Sequence, residues 1–466
     1  MTTETPVLLT IFGGTGDLAQ RKLYPAIFRL FQKHQLQQHF AVIGTARRDW
    51  SHEYYRQVVR TAIASLTNDA AEITNFTSHF YYQSHDVNDV AHYQTLKSLS
   101  QRLDQQYRLR HNRLFYLAMA PNFFETIAQH LKSEQLLTTD GFNRLIIEKP
   151  FGHNYSSAEK LNKALTATFR TDQIFRIDHY LGKSMIQNIT NLRFNNQLEA
   201  LWNHHFIDNI QITLSEQLGV ADRAIYYDQS GALRDMVQNH ILQILSLLAM
   251  EQPAFNNHQS ITIAKQTVLE QLHPLTAHTI SQNFIRGQYA GAEHVKAYRQ
   301  NNQISADSNN DSFVAGKITI DNPRWQGVPF YIRTGKELAA KYTRINVQFR
   351  TPAGSTAPAN RLTINVEPEA TITSALNIQS ERPTVLKPVS AFAQNDAYAN
   401  LLQAILHGDA THFTTWEELA AAWKFIDPIQ AYWDTHEPEF PNYQPQTMGP
   451  QAATDLLTRD GRTWLD

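Results

Sequence analysis

Nine consecutive residues, Arg176-Ile177-Asp178-His179-Tyr180-Leu181-Gly182-Lys183-Ser184, concentrate more reactive side chains than packing requires. A carboxylate, an imidazole, a phenol and an ammonium fall within positions 178–183. A carboxylate beside an imidazole can orient it and stabilise its charged form, so the pair suits proton removal near neutral pH. An ammonium with an imidazole makes a clamp for an anion. The chain also opens with Gly13-Gly14-Thr15-Gly16-Asp17-Leu18-Ala19, a loop shaped for a nucleotide phosphate. Together the two features imply an oxidoreductase acting on an anionic substrate.

The opening loop fits the G-x-G-x-x-G/A form through Gly14, Gly16 and Ala19. One glycine allows a tight turn and the next lets backbone approach a pyrophosphate. The helix that follows turns free N–H groups and the positive end of its dipole toward the phosphates. Thr15 adds a hydroxyl. A plain glycine turn would look the same in isolation; the context of strand, loop and helix favours the binding reading. At the end of the second strand, where NAD-selecting folds present an acid for the ribose hydroxyl, stand Gly44-Thr45-Ala46-Arg47-Arg48. Guanidinium suits a 2′-phosphate. NADP is therefore expected, with NAD as a possible second acceptor, and Asp49 comes too late in the loop to serve as the NAD-type acid.

These groups need elements to hold them. The run 7–12 is short, apolar and closed by glycine, and reads as a buried strand. A helix is expected over 18–31, a second strand over 40–43 ended by Gly44, a helix over 56–66, and strands at 80–82, 114–118 and 144–147. This alternation predicts a parallel sheet with crossover helices in a Rossmann-type dinucleotide-binding domain, residues 1–177. The remainder, 178–466, reads as a larger β+α domain built on a mainly antiparallel sheet. Residues 210–215 alternate as a half-buried strand, 232–250 form a long apolar helix, and 313–320, 328–333, 344–349 and 362–366 are further strands. Helices are expected over 396–406 and 416–425. Residues 299–312 read as an exposed polar loop, and Trp202-Asn203-His204-His205 as a surface turn.

Composition narrows the classes. The 466 residues carry a formal charge of −2, which gives nucleic acid or an anionic membrane no general attraction. There is no cysteine, so disulfides, thiolate zinc sites and cysteine nucleophiles are out. No leader and no membrane-length apolar run is seen, and a cytoplasmic location is expected. With 20 histidines, a single one means little. His179 is one candidate base; His240, on the apolar stripe of the long helix with Val237, Ile241 and Ile244, is another, or else a core histidine. Spacing does not choose between them.

The motifs do. Gly13 to Ala19, Glu148-Lys149-Pro150-Phe151-Gly152, Arg176 to Lys183, Gly231-Ala232-Leu233-x-Asp235-Met236-x-Gln238-Asn239-His240, and Arg333-Thr334-Gly335-Lys336 occur in the order in which the glucose-6-phosphate dehydrogenase family carries them. The chain closely resembles that family from about residue 7 to the region of Trp423. The resemblance implies oxidation of glucose 6-phosphate to 6-phosphogluconolactone, the first step of the oxidative pentose phosphate pathway. It implies that His240 is the general base and Asp178 its carboxylate partner. By the same resemblance His179, Tyr180 and Lys183 are phosphate ligands, and Lys149, Glu216, Asp235, Lys336 and Lys341 hold the rest of the sugar phosphate. Gly13, Gly14, Thr15, Gly16, Asp17, Leu18, Arg47, Asp86, Val87 and Lys149 fall at coenzyme contacts. No metal is needed, and a homodimer is implied. Gln20, where the family is often basic, and Arg234, where an apolar residue is common, depart from the pattern.

Overall fold

A computed structural model describes residues 4–255, 257–377, 384–386 and 396–466. The chain divides into two compact units. One comprises Met1–Gly152, Ser156–Gly182 and Asn395–Trp416; the other comprises His153–Tyr155, Lys183–Gln394 and Glu417–Asp466. The sequence predicts a single boundary after Ile177; the first unit instead runs on to Gly182 and includes a late segment. Hydrophobic burial accounts for the return: helix Ala397–His407 lays Leu401, Leu402 and Ile405 into the core that carries Ile146, Phe175 and Ile177. Each such side chain contributes about 1.5–3 kcal/mol when buried.

The first unit is built on six parallel strands: β1 (Val7–Phe12), β2 (Phe40–Ala46), β3 (Phe80–Ser84), β4 (Arg113–Leu117), β5 (Asn143–Glu148) and β6 (Ile174–Ile177). Their spatial order is β3-β2-β1-β4-β5-β6. This is the doubly wound order, whose direction reverses between β1 and β4 and opens a crevice at the strands' carboxyl ends. All six residues of β1 are buried, as a strand covered on both faces requires. β2 does not stop at Gly44 but continues to Ala46 in register with β3. Gly44 is needed there because a Cβ would lie 2.1 Å from the Tyr55 hydroxyl oxygen. The helix expected over 18–31 begins as a π-helical turn, Ala19–Leu23, before helix Tyr24–Gln32. Pro25 offers no N–H and would crowd the carbonyl four residues back, a conflict that the wider turn relieves.

The second unit holds eight strands: β7 (Ile207–Ser215), β8 (Phe284–Gly287), β9 (Phe313–Ile318), β10 (Phe330–Gly335), β11 (Tyr342–Phe349), β12 (Arg361–Glu367), β13 (Thr371–Ala375) and β14 (Thr384–Leu386). Their order is β14-β13-β12-β11-β7-β10-β9-β8. All pairs are antiparallel except β7 with β10. β7 was expected to be half-buried; eight of its nine residues are buried, because both of its faces are covered.

The long apolar helix is two pieces, a π-helical stretch Leu233–Ile241 and helix Leu242–Ala249. Its second half is buried all round, so its last carbonyls cannot reach water and need donors. They find them in Arg193 (to Leu247 O, 3.0 Å, and Met250 O, 2.7 Å), Trp202 (to Leu248 O, 2.8 Å) and Trp325 (to Ala249 O, 2.8 Å). Trp202 is thus core rather than part of a surface turn. At the other end, Asp311 accepts from Leu233 N at 2.7 Å, and its carbonyl accepts from Ala232 N at 2.9 Å. Gly231, at φ +68°, makes room for it: a Cβ there would meet Asp311 Oδ1 at 2.5 Å. The polar loop around Asp311 is therefore not all exposed; Ser308, Asp311 and Ser312 are buried.

Candidate active site

In the first unit the expected coenzyme residues gather at the carboxyl edge of the sheet. Gly13 has φ +90°, and a Cβ on it would stand 2.3 Å from the Ala118 carbonyl oxygen at the end of β4. A Cβ on Gly14 would stand 2.8 Å from the Cα of Gly44. The loop is thus pressed into the crevice where β1, β2 and β4 end, and only glycine fits. Gly13 and Gly14 both donate to Thr45 O, at 2.9 and 3.0 Å, and Gly16 donates to Gly13 O at 3.0 Å. Thr15 is buried, Leu18 is partly exposed, and Asp17 is exposed. Gln20 donates from Nε2 to Thr15 O at 2.9 Å, so this unusual residue braces the loop.

Arg47 and Arg48 follow β2, and both are exposed. They are not equivalent. Arg48 lies over the Trp50 ring at 5.3 Å, and its carbonyl accepts from the Tyr82 hydroxyl at 2.6 Å. Arg47 faces Asp86, beyond β3. The Asn88 N–H, then the Asn88 side chain and the Arg47 charge, hold the Asp86 carboxyl below its ordinary range despite some opposing desolvation. Val87 is buried beside it. The glycine cradle and a cation at the end of β2 fit a dinucleotide with a 2′-phosphate.

β5 and β6 end side by side, with Glu148 opposite Ile177. The next residues, Lys149 and Asp178, leave the same edge of the sheet. The Lys149-Pro150 peptide bond is cis. Asp178 is buried, and its Oδ1 accepts from Tyr180 N at 2.9 Å in the turn that follows β6. His179 is partly exposed, with its ring 4.8 Å from that of Tyr180.

In the second unit the register brings four strand ends into a row. Gly335 of β10 lies opposite Ser215 of β7, Ser215 opposite Tyr342 of β11, and Thr343 opposite Glu367 of β12. Lys336, Glu216 and Lys341 each adjoin one of these ends. Lys336 is buried, forms an ion pair with Glu216 and sits 5.2 Å from the Tyr227 ring centre. Lys341 is exposed. Lys183, which precedes helix Ser184–Phe194, reaches the same row through an ion pair with Glu367. The π-helical stretch packs on β7 and β10 and carries Asp235, whose Oδ1 accepts from the Tyr226 hydroxyl at 3.1 Å. His240 is fully buried on the same stretch, its N–H donating to Asn239 Oδ1 at 2.7 Å. In an α-helix, residues five apart point about 140° away from each other. The π pattern, bonding i to i+5, turns Asp235 and His240 toward one face of the stretch.

The whole chain aligns with proteins of known kind. The family model "Glucose-6-phosphate dehydrogenase, NAD binding domain" matches residues 10–188, and "Glucose-6-phosphate dehydrogenase, C-terminal domain" matches residues 190–465. The glucose-6-phosphate 1-dehydrogenase of Bacillus subtilis is 47% identical, with 99% of this chain and 98% of that protein aligned. The Streptococcus pneumoniae enzyme is 46% identical, over 99% of this chain and 97% of that protein. This chain belongs to the glucose-6-phosphate dehydrogenase family. A solved structure described as glucose-6-phosphate dehydrogenase in complex with its substrate glucose-6-phosphate superimposes with a TM-score of 0.92 at 31% identity, covering 100% of both chains.

Family membership leaves some residues of this site to be found in the fold. Tyr116 and Tyr398 lie far apart in sequence, yet both reach Glu148. No periodicity links them. His85 packs at the end of β1, its ring 5.6 Å from that of Phe12; burial, then the neighbouring His92, pushes it down to about 4. A His-Asp pair after a short strand was the signal that could have marked it. Arg234, the second departure from the family pattern, is half-buried and bonds from Nε to Ser230 O at 2.8 Å, off the packed face.

Proposed function

We propose that His240, with Asp178 as its carboxylate, is the base in this family's reaction, the oxidation of D-glucose 6-phosphate to 6-phospho-D-glucono-1,5-lactone. That reaction is the first step of the oxidative pentose phosphate pathway. The C1 hydroxyl proton passes to the His240 imidazole, the C1–H bond gives up its electron pair as hydride, and the C1–O bond becomes a carbonyl. NADP supplies the hydride acceptor. Gly13, Gly14, Thr15, Gly16, Asp17, Leu18, Asp86 and Val87 would hold it, with Arg47 at the 2′-phosphate and Lys149 near the nicotinamide. Asp178 orients the imidazole and stabilises its cation.

The observation that supports this reading best is the row of strand ends in the second unit. Lys183, Lys336 and Lys341 come to one edge, where Lys183 pairs with Glu367 and Lys336 with Glu216, and Asp235 lies on the π-helical stretch packed on β7 and β10. Ammonium groups suit a phosphate dianion, and carboxylates accept from sugar hydroxyls. In this reading Lys183, with His179 and Tyr180, grips the phosphate, while Lys149, Glu216, Asp235, Lys336 and Lys341 fix the rest of the sugar phosphate. An uncharged aldose would have no use for the exposed Lys341, nor for lysines that a phosphate could draw from their carboxylates. Steady-state turnover on glucose 6-phosphate and on glucose, each with NADP and with NAD, tests the reading. Strong preference for the phosphorylated sugar is expected; equal efficiency on glucose would overturn it.

We extend the proposal to a cytoplasmic homodimer assembled through the large sheet of the second unit. Sedimentation equilibrium at micromolar concentration should give twice the chain mass; a single-chain mass would remove this part.

A further inference from the structure

We propose that Glu148 is a positioning residue for this reaction: clamped by the Tyr116 and Tyr398 hydroxyls, its carboxyl sets the electrostatic environment of Lys149 and Asp178. The proposal rests on the reading above, in which Lys149 meets substrate and coenzyme and Asp178 supports the base.

The geometry comes from register. Tyr116 of β4 pairs with Ile146 of β5, and side chains alternate along a strand, so Tyr116, Ile146 and Glu148 share one face of the sheet. Ile177 of β6, opposite Glu148, belongs to the same face. Tyr116 donates from its hydroxyl to Glu148 Oε1 at 2.5 Å. Helix Ala397–His407 covers this face and brings a second donor, the Tyr398 hydroxyl. The start of that helix is pinned: Asp396 accepts from Ala399 N at 3.1 Å and pairs with Arg29 at 2.7 Å.

A carboxylate set among Tyr116, Ile146 and Ile177 is costly to ionise unless it is hydrogen-bonded and paired, and here two tyrosine hydroxyls and Lys149 offset part of that cost. The charged and titratable groups facing it are Tyr116, Tyr398, Lys149 and Asp178. Two are phenols and one is another acid. Burial of the carboxyl pushes Glu148 up to about 7, against the two tyrosine hydrogen bonds and Lys149 that pull it down, with Asp178 adding a smaller push upward. Glu148 as a residue keeps a margin of exposure, so protons can reach it. It therefore changes charge in the range where a histidine base works. Ionised, it attracts the Lys149 ammonium and makes the potential at Asp178 more negative, which strengthens the hold of Asp178 on a cation. Protonated, it does neither. Groups with strongly displaced titration beside a reaction centre are where tuning is expected.

The sign for stability is opposite to that of a salt bridge. A carboxyl raised in the folded state binds its proton more tightly there, so its contribution is full below the unfolded value near 4.5 and is lost as pH rises through about 7. Glu148→Gln, which cannot ionise, should therefore hold its Tm better than the wild type above neutral pH.

Infrared difference spectroscopy of the full chain across pH 5–9 tests the assignment without activity. A protonated-carboxyl band should vanish as pH rises through about 7 in the wild type and be absent from Glu148→Gln. Tyr116→Phe removes a bond that favours the charged form and should move the band's loss to higher pH. The pH profile of kcat should then lose one inflection in Glu148→Gln and shift upward in Tyr116→Phe, with KM for glucose 6-phosphate changing by less than about threefold. A kcat profile that stays the same in both variants would overturn the proposal, as would a band that ignores Tyr116→Phe. If the wild type does not oxidise glucose 6-phosphate, the reading above fails instead, and the infrared titration still reports on Glu148.

Discussion

The crevice of the first unit and the strand row of the second are built of different materials. The first is made of backbone: Gly13 and Gly14, pressed against Ala118 and Gly44, leave no room for a Cβ. The second is made of side chains paired across strands, Lys336 with Glu216 and Lys183 with Glu367. Backbone sites fail when something is added, whereas side-chain sites fail when something is taken away. Substitutions in the glycine crevice should therefore register as stability or coenzyme affinity, and those in the strand row as turnover and substrate affinity.

The largest effect belongs to the second unit. His240→Asn should lower kcat by about 10²- to 10⁴-fold, or roughly 3–5 kcal/mol of barrier, while circular dichroism and coenzyme affinity stay near wild type. Full activity in that variant would remove His240 as the base. In the first unit, Gly13→Ala faces both a φ of +90° and the Ala118 carbonyl. A loss of about 3 kcal/mol in urea unfolding is expected, with coenzyme binding weakened in step. A variant as stable as the wild type would show that the loop can move aside.

Lys336→Gln comes next. It removes one charge-assisted contact from the sugar-phosphate row, and kcat/KM for glucose 6-phosphate should fall about 10- to 100-fold with KM for NADP little changed. A larger effect on the coenzyme than on the sugar would reverse the division between crevice and strand row. Arg47→Ala is the smallest. KM for NADP should rise about tenfold, as expected for losing one charged contact of about 1.4 kcal/mol, with little change for NAD. Equal changes for both coenzymes would take Arg47 off the 2′-phosphate, and a similar loss in Arg48→Ala would cancel its distinction from the Trp50-stacked Arg48.

The same contrast explains what could be read from the sequence. The first unit's strands and loop were legible because their signals are local: a short apolar run, then glycines, then a helical period. What escaped was set by distant partners. Gly44 looked like a strand end and is instead a close approach to Tyr55. Trp202 looked like part of a turn and is instead a donor to a buried helix end. The π-helical stretch over 233–241 was invisible to a 3.6-residue period, so the face shared by Asp235 and His240 could not be read from it. In the second unit the roles of Lys336, Lys341 and Glu216 came from resemblance to a family. Only the register of β10, β7 and β11 shows why residues so far apart arrive at one edge.

The most direct test of the central claim compares wild type and His240→Asn on glucose 6-phosphate carrying deuterium at C1, with NADPH formation followed in single turnovers. Proton removal by this imidazole predicts that the variant is slowed and shows a large primary isotope effect, because C–H cleavage then limits every turnover. A slow variant without an isotope effect, or a variant as fast as the wild type, would contradict it.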